Sequence, residues 1–148
     1  MLQEGIKAPA FTLPDASGKM ISLSDFAGKT IVLYFYPKDN TPGCTREAQA
    51  FRDAYDDYLK NEIVVIGVSK DSSASHKKFI EKNNLPFILL ADTGRKALTA
   101  YDVLNPLGGT LRTTYIINPK GVIQKVYDKV NPDNNAAQIL EYLKTADL

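Results

Sequence analysis

The run Thr30-Ile31-Val32-Leu33-Tyr34-Phe35-Tyr36, continued by Pro37-Lys38-Asp39-Asn40-Thr41-Pro42-Gly43-Cys44-Thr45-Arg46-Glu47, decides how this chain folds. Its first part is apolar, β-branched and aromatic, and Pro37 closes it, which predicts a buried strand. Downstream, Phe51, Ala54, Tyr55, Tyr58 and Leu59 recur at helical spacing. They predict one helix from about Pro42 to Lys60 with these residues on its inner face. Cys44, the only cysteine, lies seven residues before Phe51 and so starts the same face in the first turn. A thiol there meets unpaired backbone N–H groups and the positive end of the helix dipole, and both favour a thiolate. A lone cysteine also suits a small buried hydrophobe. The strand–loop–helix setting, with Gly43 letting the backbone approach a ligand closely, keeps the reactive reading in view.

Working outward, Ile63-Val64-Val65-Ile66-Gly67-Val68 is a second continuous apolar run. Two such runs joined by a helix make a βαβ unit with parallel strands buried on both faces. Asp71-Ser72-Ser73 offers N-caps for a helix that turns Phe79 and Ile80 inward and stops near Asn83-Asn84, because Pro86 disfavours helix at Leu85. Phe87–Leu90 reads as a short buried strand and Arg95–Tyr101 as a short helix. Residues 104–111 form a loop. Thr113–Ile117 and Val122–Tyr127 form an antiparallel hairpin around the turn Asn118-Pro119-Lys120-Gly121. Asn131 as N-cap and Pro132 at the first position open a last helix, with Ala136, Ile139, Leu140 and Leu143 inward. Before the central strand, Phe11–Leu13 and Met20–Leu23 flank a turn and predict a small β-hairpin, and Ser24–Gly28 predicts one helical turn. The order implies an α/β protein: a mixed central β-sheet flanked by helices on both faces, with an N-terminal β-hairpin. Residues 1–148 read as one domain. In such sheets ligands sit beyond the carboxyl ends of the parallel strands, where Cys44 falls.

Composition narrows the chemistry. At 148 residues and a net charge of +1, the chain gives no electrostatic case for nucleic acid or an anionic membrane surface. No run approaches the ~18 apolar residues of a membrane span. The lone cysteine and the absence of a signal-like start point to a reducing, cytoplasmic setting. No cofactor is expected. His76 is the only histidine, so neither a metal site nor a Cys–His acyl-transfer pair finds its residues, and His76 reads as a surface or structural residue. Thioredoxin-type exchange wants a second cysteine. Attack on a peroxide fits best: it needs a thiolate, donors for the peroxide oxygens, and a cation for the charge that develops. Thr41 supplies a hydroxyl and the backbone at Gly43 and Cys44 supplies N–H donors. Pro37 and Pro42 restrict the loop. No cation is identified by spacing alone. Glu47, three residues past Cys44, lies on the same side of the helical turn.

Pro37-x-x-x-Thr41-x-x-Cys44 resembles the active-site motif of the peroxiredoxins, and Phe35–Glu47 as a whole is similar to the peroxiredoxin Q, or bacterioferritin comigratory protein, subfamily. Gly5–Pro14, Leu89-Leu90-Ala91-Asp92, Ala100-Tyr101-Asp102-Val103 and Arg112–Gly121 extend the resemblance over most of the chain. It implies a thioredoxin-like fold and a thiol peroxidase acting on hydrogen peroxide and alkyl hydroperoxides. Carried over by position, Cys44 is the peroxidatic nucleophile and Thr41 hydrogen-bonds the peroxide. Pro37 shields the thiolate, Arg112 stabilises thiolate and transition state, and Glu47 orients the arginine. Many members carry a resolving cysteine five residues after the nucleophile, where this chain has Gln49, or in the next helix, where it has none. A sulfenic acid at Cys44 would therefore be recycled by an external thiol: thioredoxin, glutaredoxin or a low-molecular-weight thiol. The resemblance leans to a monomer, with a dimer left open. The alternative is a non-enzymatic peroxide sensor or holdase that uses Cys44 as a switch.

Overall fold

Strand β3, Thr30–Phe35, is buried along its whole length and forms the spine of the protein. The structure, a computed structural model, describes residues 1–146. In chain order the elements are β1 (Thr12–Pro14), β2 (Met20–Ser22), a 3-10 turn (Leu23–Phe26), β3, α1 (Pro42–Asp53), α2 (Tyr55–Lys60), β4 (Ile63–Ser69), α3 (Ser73–Asn83), β5 (Ile88–Ala91), α4 (Lys96–Ala100), β6 (Thr113–Ile117), β7 (Ile123–Tyr127) and α5 (Asn135–Thr145). The main sheet runs β5-β4-β3-β6-β7, and β1 and β2 form a separate two-stranded sheet. β3, β4 and β5 are parallel, whereas β6 is antiparallel to β3 and β7 to β6. The mixed sheet and the N-terminal hairpin follow the expectation from the sequence.

Alternation along β3 divides the core. Val32 and Tyr34, with Tyr36 just beyond the strand, face a cluster built with Ala48 and Phe51 of α1, Tyr58 of α2, Phe79 of α3 and Ile139 of α5. Ile31, Leu33 and Phe35 face the other way, onto Leu13 and Ile21 of the hairpin, Leu98 of α4, and Tyr101. Strands covered on both sides in this way carry near-continuous apolar runs. The packing is tight enough to require a glycine in β4. A Cβ on Gly67 would lie 2.7 Å from both the Tyr34 ring and Leu89.

Three local expectations are corrected. The single helix expected from Pro42 to Lys60 is two, α1 and α2, divided at Ala54. The break re-phases the second piece, so Tyr58 is buried and its hydroxyl donates to the Ala136 carbonyl at 2.8 Å, while Leu59 is left exposed. It also places Asp56 and Asp57 in a first turn, where the helix dipole favours them. The last helix begins at Asn135 rather than Pro132. The Asn131 side chain accepts from the Asp133 N–H at 2.9 Å and its carbonyl accepts from the Asn134 and Asn135 N–H groups, so residues 131–134 form a turn. Asn135 then turns inward, accepting from the Thr114 hydroxyl at 2.9 Å. Finally, β5 is displaced by one residue from Phe87–Leu90.

Candidate active site

Cys44 lies in the first turn of α1 and is buried. Thr41 is the N-cap residue, with extended backbone angles. Its hydroxyl makes no bond to the helix; it donates to the Lys38 carbonyl at 2.8 Å, folding the loop back on itself. The first backbone bond of the helix runs from Thr45 N–H to the Thr41 carbonyl at 2.9 Å. The N–H groups of Gly43 and Cys44 precede that bond and are among the unpaired donors of a helix start. Pro37 follows Tyr36, one residue beyond the end of β3, and is half-buried.

Arg112 is brought here by strand pairing. Thr113 at the start of β6 pairs with Phe35 at the end of β3. Arg112 therefore stands level with the point where the chain leaves β3 for the loop and α1. Its Nη2 donates to Cys44 Sγ at 3.3 Å and its Nη1 to Glu47 Oε1 at 2.7 Å. The planar guanidinium fork lets one side chain hold both groups at once. Gly43 leaves room for it, since a Cβ there would lie 3.2 Å from Nη2. Pro132, in the turn before α5, flanks the same point, 3.9 Å from that Cβ position.

The electrostatics are uneven. Glu47 is 1% exposed, and its Oε2 has no hydrogen-bond partner. Burial pushes its carboxyl up to about 7, against the charge and hydrogen bond of Arg112. For Arg112, burial works against the charge, but the Glu47 carboxylate and the Cys44 sulfur outweigh it and hold the guanidinium above its ordinary value. A cation so held is a fixed positive charge aimed at the sulfur.

On the opposite side of the loop lies a second buried pair that sequence reasoning missed. Asp39 Oδ2 meets His76 Nδ1 at 2.8 Å, and both side chains are essentially inaccessible. The reading of His76 as a surface or structural residue resolves to a structural one. A signal was present: His76 precedes the inward residues Phe79 and Asn83 by three and seven positions, the spacing of one helix face.

The chain matches the model of the AhpC/TSA family over residues 5–126. The chain belongs to the AhpC/TSA family. Its relatives are of the kind the motif resembles. It is 47% identical to wheat peroxiredoxin Q, chloroplastic, across 97% of this chain and 67% of the wheat protein. It is 46% identical to the putative peroxiredoxin bcp of Coxiella burnetii, across 94% of this chain and 97% of that protein. The bacterioferritin comigratory protein of Xanthomonas campestris, solved in connection with its alkyl peroxide reduction activity, superimposes with a TM-score of 0.90 at 31% identity, covering 96% and 98% of the two chains. The thioredoxin-like peroxiredoxin fold is thereby established. The family member described here is a thiol-dependent peroxidase. No helix among the described residues is long and apolar enough to cross a membrane.

Proposed function

We propose that Cys44 is the peroxidatic nucleophile of this peroxidase and that Thr41, Arg112 and Pro37 complete its site, with Glu47 and Gly43 in support. The observation that carries this reading is the guanidinium that donates to Cys44 Sγ and to a buried carboxylate at the same time. The Cys44 sulfur attacks the terminal oxygen of a hydroperoxide. An S–O bond forms, the O–O bond breaks, and the departing alkoxide or hydroxide takes up a proton. Sulfur is oxidised by two electrons to a sulfenic acid and the peroxide is reduced to alcohol or water. Because the Thr41 hydrogen is engaged by the Lys38 carbonyl, its oxygen is free to accept from the O–H of the attacked atom. The N–H groups of Gly43 and Cys44 and the Arg112 fork supply donors where negative charge develops. Pro37 limits water at the thiol.

The chain has one cysteine, so the second half of the cycle comes from outside. A thiol condenses with the sulfenic acid, releasing water and leaving a mixed disulfide. A second thiol then attacks that disulfide and frees Cys44. Where many members of the subfamily carry a resolving cysteine, Gln49 donates to Asn83 Oδ1 at 3.2 Å and ties α1 to the end of α3. Residues five apart in a helix are roughly 8–9 Å distant, beyond the ~7 Å limit for a disulfide. A chain with glutamine there has no need to unwind α1 during turnover. Thioredoxin, glutaredoxin and low-molecular-weight thiols all fit as reductants. Hydrogen peroxide and alkyl hydroperoxides fit as substrates, the latter in line with the activity of the Xanthomonas relative. Residues 1–148 would act as one domain, as a monomer, in a reducing compartment such as the cytoplasm, in keeping with the single cysteine.

Turnover tests the reading. With hydrogen peroxide and excess dithiothreitol, the protein is expected to consume many equivalents of peroxide and the Cys44→Ser variant none. Consumption that stops at one equivalent would make Cys44 a switch rather than a catalyst.

A further inference from the structure

The loop that carries Thr41 into the helix has an anchor of its own, on the side away from Arg112. Asp39 sits midway between Pro37 and Thr41, yet its side chain is buried. Its Oδ1 accepts from the Tyr36 hydroxyl at 2.6 Å. Its Oδ2 accepts from the Ser75 hydroxyl at 2.8 Å and meets His76 Nδ1 at 2.8 Å. His76 Nε2 faces the Leu90 carbonyl at 2.9 Å. A carbonyl can only accept, so Nε2 carries a hydrogen and donates to β5. The Asp39 N–H donates to Asp71 Oδ2 at 2.9 Å, and Asp71 is itself held by the Ser69 hydroxyl at 2.7 Å. One loop residue is thus tied to the end of β3, the end of β4, the first turn of α3 and, through His76, to β5.

The residue after it shows what the ties hold. Asn40 has a φ of +62°, a left-handed conformation that costs a non-glycine residue energy and persists where the surroundings impose it. Thr41 follows in extended conformation and Pro42 starts the helix. The direction of that turn therefore sets where the Thr41 oxygen and the unpaired N–H groups of the first helical turn stand relative to Cys44. Burial pushes the Asp39 carboxyl up, but the hydrogen bonds from His76, Tyr36 and Ser75, together with the charge on His76, hold it below the ordinary carboxylate range.

We infer that Asp39 and His76 are positioning residues of the peroxidase: their buried pair locks the Pro37–Thr41 loop, and so fixes the peroxide-binding groups against Cys44. The pair touches neither sulfur nor peroxide. It acts through the loop, and displacements of about an ångström in such groups can cost up to 10²-fold in rate. The inference rests on the peroxidase reading, and the wild-type rate in the same assay tests that reading separately.

The two nitrogens of His76 can be separated by substitution. His76→Asn keeps a donor near the Nδ1 position, facing Asp39, and loses the bond to β5. His76→Gln keeps a donor near the Nε2 position, facing Leu90, and loses the bond to the loop. Both should lower the melting temperature. The readout is the rate at which hydrogen peroxide oxidises Cys44, followed by intact mass after acid quench. His76→Gln is expected to be slower by about tenfold or more, and His76→Asn to recover most of that loss. Equal rates in the two variants, whether both unchanged or both slowed alike, would overturn the inference and leave His76 as packing only. Should either variant fail to fold, Tyr36→Phe combined with Ser75→Ala removes two donors to Asp39 while keeping the ring in place. That variant is expected to react several-fold more slowly, and a wild-type rate would overturn the inference equally.

Discussion

Two carboxylates are buried within three residues of the Thr41–Cys44 turn, one on either side of it, and the protein treats them in opposite ways. Asp39 receives hydrogen bonds from Tyr36, Ser75 and His76 on its two oxygens, and its carboxyl is held below the ordinary range. Glu47 receives one charged hydrogen bond, leaves its second oxygen bare, and is pushed up to about 7. Full satisfaction suits a part that must stay still. A bare buried oxygen is costly, and here it belongs to the carboxylate that pairs with Arg112, whose guanidinium touches the sulfur. Strain and unmet charge sit at the proposed site of chemistry, while the compensating order lies behind the loop.

The sharpest way to break the contrast is to remove the cation. Arg112→Ala is expected to slow oxidation of Cys44 by peroxide about 10²-fold or more, the usual cost of losing a donor aimed at developing charge. Arg112→Lys should recover only part of it, because an ammonium lacks the fork that reaches both Cys44 and Glu47. An unchanged rate in the alanine variant, measured with the fold intact by circular dichroism, would take Arg112 out of the site.

The pH dependence of stability separates the two carboxylates next. Because the folded-state value of Glu47 lies above its ordinary 4.5, its protonated form is favoured by folding. Its contribution is complete below that ordinary value and is lost as pH rises toward about 7. The loss amounts to roughly 3 kcal/mol at most. In Glu47→Gln that decline should vanish from urea titrations run between pH 4.5 and 8. Asp39 has the opposite sign. Its value is depressed, so its contribution is present above the ordinary carboxylate range and is lost as pH falls through its folded value. An identical slope in wild type and Glu47→Gln would show that Glu47 is not the strained partner.

Smaller effects test the fit. Gly43→Ala adds a Cβ 3.2 Å from Arg112 Nη2, so the guanidinium must shift by a few tenths of an ångström. A loss of about tenfold in the peroxide rate is expected, with little change in melting temperature. Arg46, by contrast, pairs with Asp133 at 2.7 Å, but both side chains are more than half exposed. Arg46→Ala should alter stability by less than about 1 kcal/mol and leave the peroxide rate untouched. Comparable effects from Arg46 and Arg112 would mean that burial does not decide which arginine matters.

The difference between the two pairs also explains what the sequence disclosed. Continuous apolar, β-branched runs at 30–36 and 63–68 read as strands covered on both faces, and 113–117 as one arm of a hairpin, so the sheet was legible. The Pro37, Thr41 and Cys44 spacing marked the site because those residues are local. Arg112 is 65 residues from Glu47 and 68 from Cys44. Only the antiparallel pairing of β6 with β3 brings it there, and no periodicity in one strand reveals its neighbour. The role proposed for it was suggested by the family resemblance and not by spacing. The Asp39–His76 contact spans 37 residues and was hidden for the same reason, although the helical phase of His76 hinted that it faces inward. The division at Ala54 carries no glycine or proline. It leaves Tyr58 buried, with its hydroxyl on the Ala136 carbonyl, and Leu59 exposed.

The proposed cycle turns on a lone thiol, Cys44, oxidised by peroxide and restored by another molecule. Intact mass after one equivalent of hydrogen peroxide, with and without an added thiol, tests that most directly. The expected result is a gain of one oxygen atom at Cys44, converted by a low-molecular-weight thiol to a mixed disulfide and, with excess thiol, back to the starting mass. No oxygen gained at Cys44, or a gain that thiol leaves untouched, would contradict it.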